Sequence, residues 1–149
     1  MIAIEQYDHL GIRVTDPERA IAFYQELGFH LLRRVEHDAV AIMKNAAEVE
    51  INLVLNGVDL TGGKNILMDV PDKHPGYTHV AFRVPHILPV MATLKEKSIP
   101  ITQGPVTFGD GHVSVFVRDP DRNVIEFRAR LEEHQASKIE GLTFYDPKG

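Results

Sequence analysis

One octapeptide occurs twice. Tyr7-Asp8-His9-Leu10-Gly11-Ile12-Arg13-Val14 returns as Tyr77-Thr78-His79-Val80-Ala81-Phe82-Arg83-Val84. Tyr, His, Arg and Val recur in register. Leu10, Ile12 and Val14 fall on one side of a period-two pattern, and Val80, Phe82 and Val84 do the same. Alternation of this length predicts a half-buried strand. Tyr7, His9 and Arg13, and again Tyr77, His79 and Arg83, take the opposite side. A polar face that repeats its Tyr, His and Arg is more than a solvated surface. The repeat predicts two similar modules, each presenting one histidine.

The rest of the chain follows the same plan twice. Thr15-Asp16-Pro17-Glu18 combines a capping residue, a proline at the first helical position and an acid in the first turn. Ala20, Phe23, Tyr24 and Leu27 then form an apolar stripe, and Gly28 is placed to end the helix in a left-handed cap. Strands are expected over Phe29 to Val35, Ala39 to Met43 and Glu48 to Leu55. The first module, about residues 5–56, therefore reads β-α-β-β-β. Residues 57–75 form a connection rich in Gly, Pro, Asn and Asp, with a short strand expected over Asn65 to Val70. The second module, about 76–130, repeats the order. It has a strand over Tyr77 to Val84, a helix over Ile87 to Lys97, and strands over Ile101 to Phe108, His112 to Arg118 and Val124 to Arg128. Residues 131–149 read as a charged tail whose Leu142, Phe144 and Tyr145 pack on the domain or on a second subunit. The fold class is α+β: a single domain, residues 1–149, of two βαβββ modules forming a curved mixed sheet around a cavity.

Composition excludes several classes of function. With 149 residues the chain has room for one domain or two small modules. It has no cysteine, which removes disulfides, thiolate metal sites and thiol nucleophiles and fits a reducing cytoplasm. A formal charge of −5 without a basic cluster argues against nucleic acid as partner. No apolar run is long enough to span a membrane, and the N-terminus lacks the basic start of a secretory signal.

Eight histidines make histidine placement informative. Each module carries one on its first strand, His9 and His79, and a glutamate on its fourth, Glu50 and Glu126. The glutamates have like neighbours, Val49 and Ile51 against Ile125 and Phe127. All four lie opposite the apolar faces. Two imidazoles and two carboxylates suit one divalent ion of intermediate softness: Zn, Ni, Co, Mn or Fe(II). Glu48 and Asn52 share the face of Glu50, so a shift of two residues would exchange the candidate. Arg83 and Arg128 lie on the polar faces, where they are candidates for an anionic substrate. His112 is a candidate neighbour of the site, and Tyr77 and Tyr7 are candidate donors to a bound oxyanion.

The β-α-β-β-β repeat, the opening Asp8 to Asp16, the helix end Ala22 to Phe29 and the closing Phe116 to Phe127 resemble the vicinal oxygen chelate superfamily. Its members include glyoxalase I, methylmalonyl-CoA epimerase, fosfomycin-resistance transferases, extradiol dioxygenases and bleomycin-binding proteins. The resemblance implies metal ligands at His9, His79 and Glu126. It implies Glu50 at the fourth position, which favours a lyase or isomerase of the glyoxalase I or epimerase type. It also implies a carboxylate-binding role for Arg13, while the asparagine that glyoxalase I places four residues after the glutamate falls on Val54. Asn52 and Asn56 flank that place, and Asn52 is taken as a substrate contact. The expected mechanism is chelation of two vicinal substrate oxygens, with Glu126 or Glu50 moving a proton through an enediolate. The rivals are an Fe(II) ring-cleaving dioxygenase, which needs only three protein ligands, and a binding protein without catalysis. Small members of the family commonly form homodimers, and the apolar residues of the tail are compatible with one.

Overall fold

A computed structural model describes residues 1–147. The chain divides into two compact units, Met1 to Lys64 and Asn65 onward. The first contains β1 (Leu10–Arg13), α1 (Pro17–Glu26), β2 (His30–Val35), β3 (Val40–Lys44) and β4 (Glu50–Val54). The second contains β5 (His79–Arg83), α2 (Ile87–Glu96), β6 (Gln103–Thr107), β7 (His112–Arg118), β8 (Val124–Arg130), α3 (Glu133–Ala136) and β9 (Thr143–Phe144). The fold is α+β, two βαβββ modules in tandem, the second extended by α3 and β9. No helix among the described residues is long and apolar enough to cross a membrane.

The first sheet has the order β1-β4-β3-β2, with β1 and β4 parallel and the other pairs antiparallel. Its apolar face is the one expected from period two. Ile12 on β1 stands opposite Leu53 on β4, and Leu53 opposite Ala41 on β3. Ile51, Leu53, Ala41 and Met43 are fully buried. Helix α1 covers this layer with Ala20, Ile21 and Tyr24. It starts where the sequence predicts: the Asp16 carboxylate accepts a hydrogen bond from the Arg19 amide (3.1 Å), and Pro17 follows the cap. Gly28 ends it at φ 97°, a conformation that costs glycine nothing. Just past β4, Gly57 passes so close to β1 that a Cβ there would lie 2.6 Å from the Val14 carbonyl oxygen.

The second sheet repeats the order as β5-β8-β7-β6, and β9 adds to the edge of β6. Val113, Val115, Val117, Ile125 and Ala129 are buried on one face, with Ile87 and Leu94 of α2. The opposite face holds a second buried group, Val106, Phe116 and Val124. The tail therefore packs on its own unit. β9 runs parallel to β6, the Tyr145 amide donates to the Thr107 carbonyl (2.9 Å), and the rings of Phe108 and Tyr145 lie 5.0 Å apart. Lys148 and Gly149 of the expected tail lie outside the described residues.

Two expectations need correction. The first strand of each module is shorter than its alternation. β1 begins at Leu10 and β5 at His79, where their pairing with Ile51 and Val124 begins. Among the described residues, Tyr7 to His9 and Tyr77 to Thr78 lie outside these ladders. The strand expected over Asn65 to Val70 is a turn. Asn65 holds it: its side-chain oxygen accepts from the Leu67 amide (2.9 Å), and its carbonyl accepts from Asp69 (2.7 Å). Side chain–backbone bonds of this kind compete with a ladder. This turn is bound to the β7–β8 connection of the second unit. Asp69 takes Arg122 through two hydrogen bonds (2.6 and 3.0 Å) and Arg118 at 3.1 Å, and the Asn65 side-chain Nδ2 donates to the Arg122 carbonyl (3.0 Å).

This cluster gives the second unit an acid-sensitive fastening. The Arg122 guanidinium, first among several partners, holds the Asp69 carboxyl well below the usual carboxylate range. A depressed folded-state value means stability that is complete above the unfolded carboxyl's range, near pH 4. It fades as pH falls from there towards the folded value. Asp69→Asn should cost about 1–3 kcal/mol at neutral pH, since it leaves charged partners unmatched. The variant's stability should then change less than the wild type's between about pH 5 and pH 2. Urea unfolding at both pH values tests this, and equal acid sensitivity in the two proteins would disprove it.

Candidate functional site

Each unit brings its own histidine to a carboxylate. In the second unit, parallel pairing sets Ala81 of β5 opposite Glu126 of β8, and antiparallel pairing sets Phe116 of β7 on the other side. The Glu126 side chain is 9% exposed. A buried carboxylate needs hydrogen-bond donors, and the Ser114 hydroxyl donates to Glu126 Oε2 at 2.6 Å. The other oxygen, Oε1, lies 3.3 Å from His79 Nε2. His79 Nδ1 is 2.9 Å from the Thr78 hydroxyl, and the ring packs edge-on against Phe116.

This arrangement fits a cation. Two atoms bound to one ion at about 2.0–2.1 Å in tetrahedral geometry lie roughly 3.3 Å apart. A neutral His79 with its proton on Nδ1 would turn the Nε2 lone pair to the carboxylate, and a positive ion between them would then bind both.

In the first unit His9 lies just before β1, with its Nδ1 2.6 Å from the Asp8 carboxylate and 3.9 Å from Glu50. Asp8, His9 and Glu50 form a group with one ligand atom apiece within 4.8 Å of one another. Glu50 is also 3.8 Å from the Lys44 ammonium. Glu48, the rival for its place, sits in the turn at φ 65° and pairs with Lys44 at 3.1 Å. Lys44 is held more firmly protonated by Glu48 first and then by Glu50.

The ladders correct one expectation about the repeat. Gly11 is the repeat equivalent of Ala81. Gly11 faces Asn52, whereas Ala81 faces Glu126. The residue of the first module that stands where Glu126 stands is therefore Asn52, and Glu50 matches Val124. Like flanking residues conceal a shift of two. Asn52 also carries a buried side-chain oxygen with no hydrogen-bond partner among the described residues. An unmatched buried carbonyl oxygen is costly and points to a ligand.

The remaining candidates are spread out. Arg13 Nε donates to Asn56 Oδ1 at 3.0 Å. Tyr77 is 99% exposed and Tyr7 98%. His112 is no neighbour of Glu126. It pairs with Arg130, four positions along β7 from the Phe116–Glu126 pair. Its Nδ1 donates to the Asp110 carbonyl (3.1 Å), and the Arg128 guanidinium is bonded to the Asp110 carboxylate. Ser114, Asp8 and Thr78 are contributors not assigned from the sequence. Their adjacency to a histidine, or their place on the face of Glu126, was the available signal.

The family model for the glyoxalase/bleomycin resistance protein/dioxygenase superfamily matches residues 6–127. The chain belongs to this superfamily. Solved structures of the superfamily agree in fold. A glyoxalase/dioxygenase from Nostoc punctiforme is 23% identical with a TM-score of 0.67, covering 87% of this chain and 94% of its own. A glyoxalase family protein from Enterococcus faecalis is 23% identical with a TM-score of 0.68, covering 85% and 99%. One from Bacillus cereus is 19% identical with a TM-score of 0.62, covering 89% and 100%. Comparison with curated proteins finds no match. For a member of this superfamily, a histidine and a glutamate on the first and fourth strands of the second module mark the place where a metal is to be sought.

Proposed function

We propose that this superfamily member is a divalent-metal-dependent lyase or isomerase of the glyoxalase I or epimerase type, acting on a small substrate with vicinal oxygens. His79 and Glu126 are assigned as protein ligands of the ion, which is Ni, Zn, Co, Mn or Fe. The observation that supports this most strongly is the 3.3 Å approach of His79 Nε2 to Glu126 Oε1. These two protein ligands leave positions for two substrate oxygens. A bound cation would supply Lewis acidity to those oxygens and acidify the neighbouring C–H.

Glu50 is assigned to carry the proton. It stands outside the position that matches Glu126, so it is read as a base rather than as a ligand. A carboxylate bound to a cation is a weak base, and an unbound one is a better one. Ser114 fixes the orientation of Glu126, and Asp8 fixes the tautomer of His9 with its free nitrogen at Nε2. A homodimer and a cytoplasmic setting belong to the same proposal, as does the absence of nucleic-acid and membrane partners.

A second reading, an Fe(II) ring-cleaving dioxygenase, is favoured by Asn52. A neutral residue at the fourth position matches the ring-cleaving members, which need only three protein ligands. Substitutions at Glu50 separate the two. If Glu50 is the base, Glu50→Gln should lower kcat by about 10²–10⁴ while the metal content stays unchanged. The assay is solvent deuterium exchange into hemithioacetals and acyl-CoA esters. Unchanged exchange in Glu50→Gln would overturn the assignment. Ring cleavage of catechols by iron-loaded protein, undiminished in the variant, would establish the second reading.

A further inference from the structure

Beyond the metal half-site, the same face of β5, β7 and β8 opens into a cleft of about 460 Å³. It is lined by Arg83, Arg128, Arg130 and His112, with Ala81 and Pro85. The ladders explain the grouping. Arg83 of β5 stands directly opposite Arg128 of β8, and Arg128 opposite Ser114 of β7; one pair further on, Arg130 stands opposite His112. Like charges facing each other across a ladder destabilise a sheet, so such a cluster calls for compensation.

The compensation present is partial. Arg128 is bonded to the Asp110 carboxylate, and Arg128 in turn holds that carboxyl below its usual range. The side chains of Arg83 and Arg130 have no ion pair or hydrogen bond among the described residues, and both residues are exposed. Three guanidinium groups against one carboxylate leave a surplus of two positive charges in the cleft. Guanidinium forks match planar or tetrahedral oxyanions in two-point bonds.

We propose that this cleft binds a dianionic group, a phosphate monoester or a pair of carboxylates, at the far end of the substrate. Arg83 and Arg130 are its principal ligands, and Arg128, steadied by Asp110, sets the floor. Strand spacing puts the Arg83–Arg128 pair about 7 Å from the Ala81–Glu126 pair, and Arg130–His112 about 7 Å further. The substrate thus has a reacting end near Glu126 and an anionic end one to two side-chain pairs along the strands. The position of the reacting end rests on the metal reading above, whereas the anion site itself does not.

The test uses the full chain stripped of metal with chelator and titrated at constant chloride ionic strength. Inorganic phosphate and succinate are the probes, followed by calorimetry and by amide chemical shifts. Saturable binding is expected, with shifts centred on residues 83–84 and 128–130. Arg83→Gln and Arg130→Gln should each weaken it about tenfold, and the double variant should abolish it. Lys95→Gln, outside the cleft, should leave it unchanged, and so should His79→Ala. Tighter binding of phosphate than of succinate supports a phosphate monoester, and the reverse order supports a dicarboxylate. Lack of saturation with both probes, or unchanged affinity in the double variant, overturns the proposal. Metal-free protein keeps the two readings apart: loss of the metal assignment would leave anion binding intact, and the converse holds.

Discussion

His79→Ala is expected to empty the protein of divalent metal. Protein purified without chelator or affinity tag should carry close to one ion per chain by elemental analysis, and the variant should carry less than about a tenth of that. Loss of a partner that only orients a ligand typically costs ten- to a hundredfold in affinity, and loss of the ligand itself should cost at least about a hundredfold. The fold should survive, because the His79 side chain is 41% exposed. Substitutions at such positions usually change stability by no more than about 0.5 kcal/mol. Glu126→Gln is a less suitable probe of the ion, since the Ser114 hydroxyl donates to a buried oxygen there and the change disturbs that bond too. Equal metal content in His79→Ala and the parent would refute the centre as assigned. So would lack of metal in both after incubation with divalent ions.

Leu53→Ala should cause the largest loss of stability, about 3 kcal/mol within a range of roughly 2–5. Leu53 is fully buried on β4, between Ile12 of β1 and Ala41 of β3. Its neighbours are held by ladders on both sides and cannot collapse into the vacated volume, so the cavity term adds to the lost transfer energy. Leu53 also lies next to Asn52, whose position depends on the same strand. Chemical denaturation measures the loss through a lower midpoint at unchanged slope. A cost under about 1 kcal/mol would show that the core of the first unit relaxes around the gap.

Much of this was legible in the residues. Period two named the apolar faces of β1, β4, β7 and β8, and the helix starts and stops followed from Asp16, Pro17 and Gly28. Such signals are local: side-chain alternation, a capping carboxylate and a residue free to adopt positive φ act within a few residues of chain. The superfamily is likewise carried by contiguous motifs, such as Asp119-Pro120-Asp121-Arg122-Asn123 at the β7–β8 turn. There Asp119 accepts the amides of Asp121 and Asn123 at 3.0 and 2.8 Å.

What local signals could not give was register. Alternation states which face a residue takes and is blind to shifts of two. Glu50 and Asn52 are therefore equivalent on the page of sequence, and only the hydrogen-bonded ladder puts Asn52 where Glu126 stands in the second module. Strand ends have the same origin. Tyr7 to His9 alternate as well as Leu10 to Arg13, but only Leu10 to Arg13 are paired with β4. The arginine cleft also depends on distant pairing, since Arg83 and Arg128 become neighbours only through the β5–β8 ladder. The sequence by itself determined the modules, their apolar faces and the set of chemically able residues, because these follow from nearest-neighbour physics. The tertiary structure alone decided which of those residues meet, because that is set by hydrogen bonds between strands far apart in the chain.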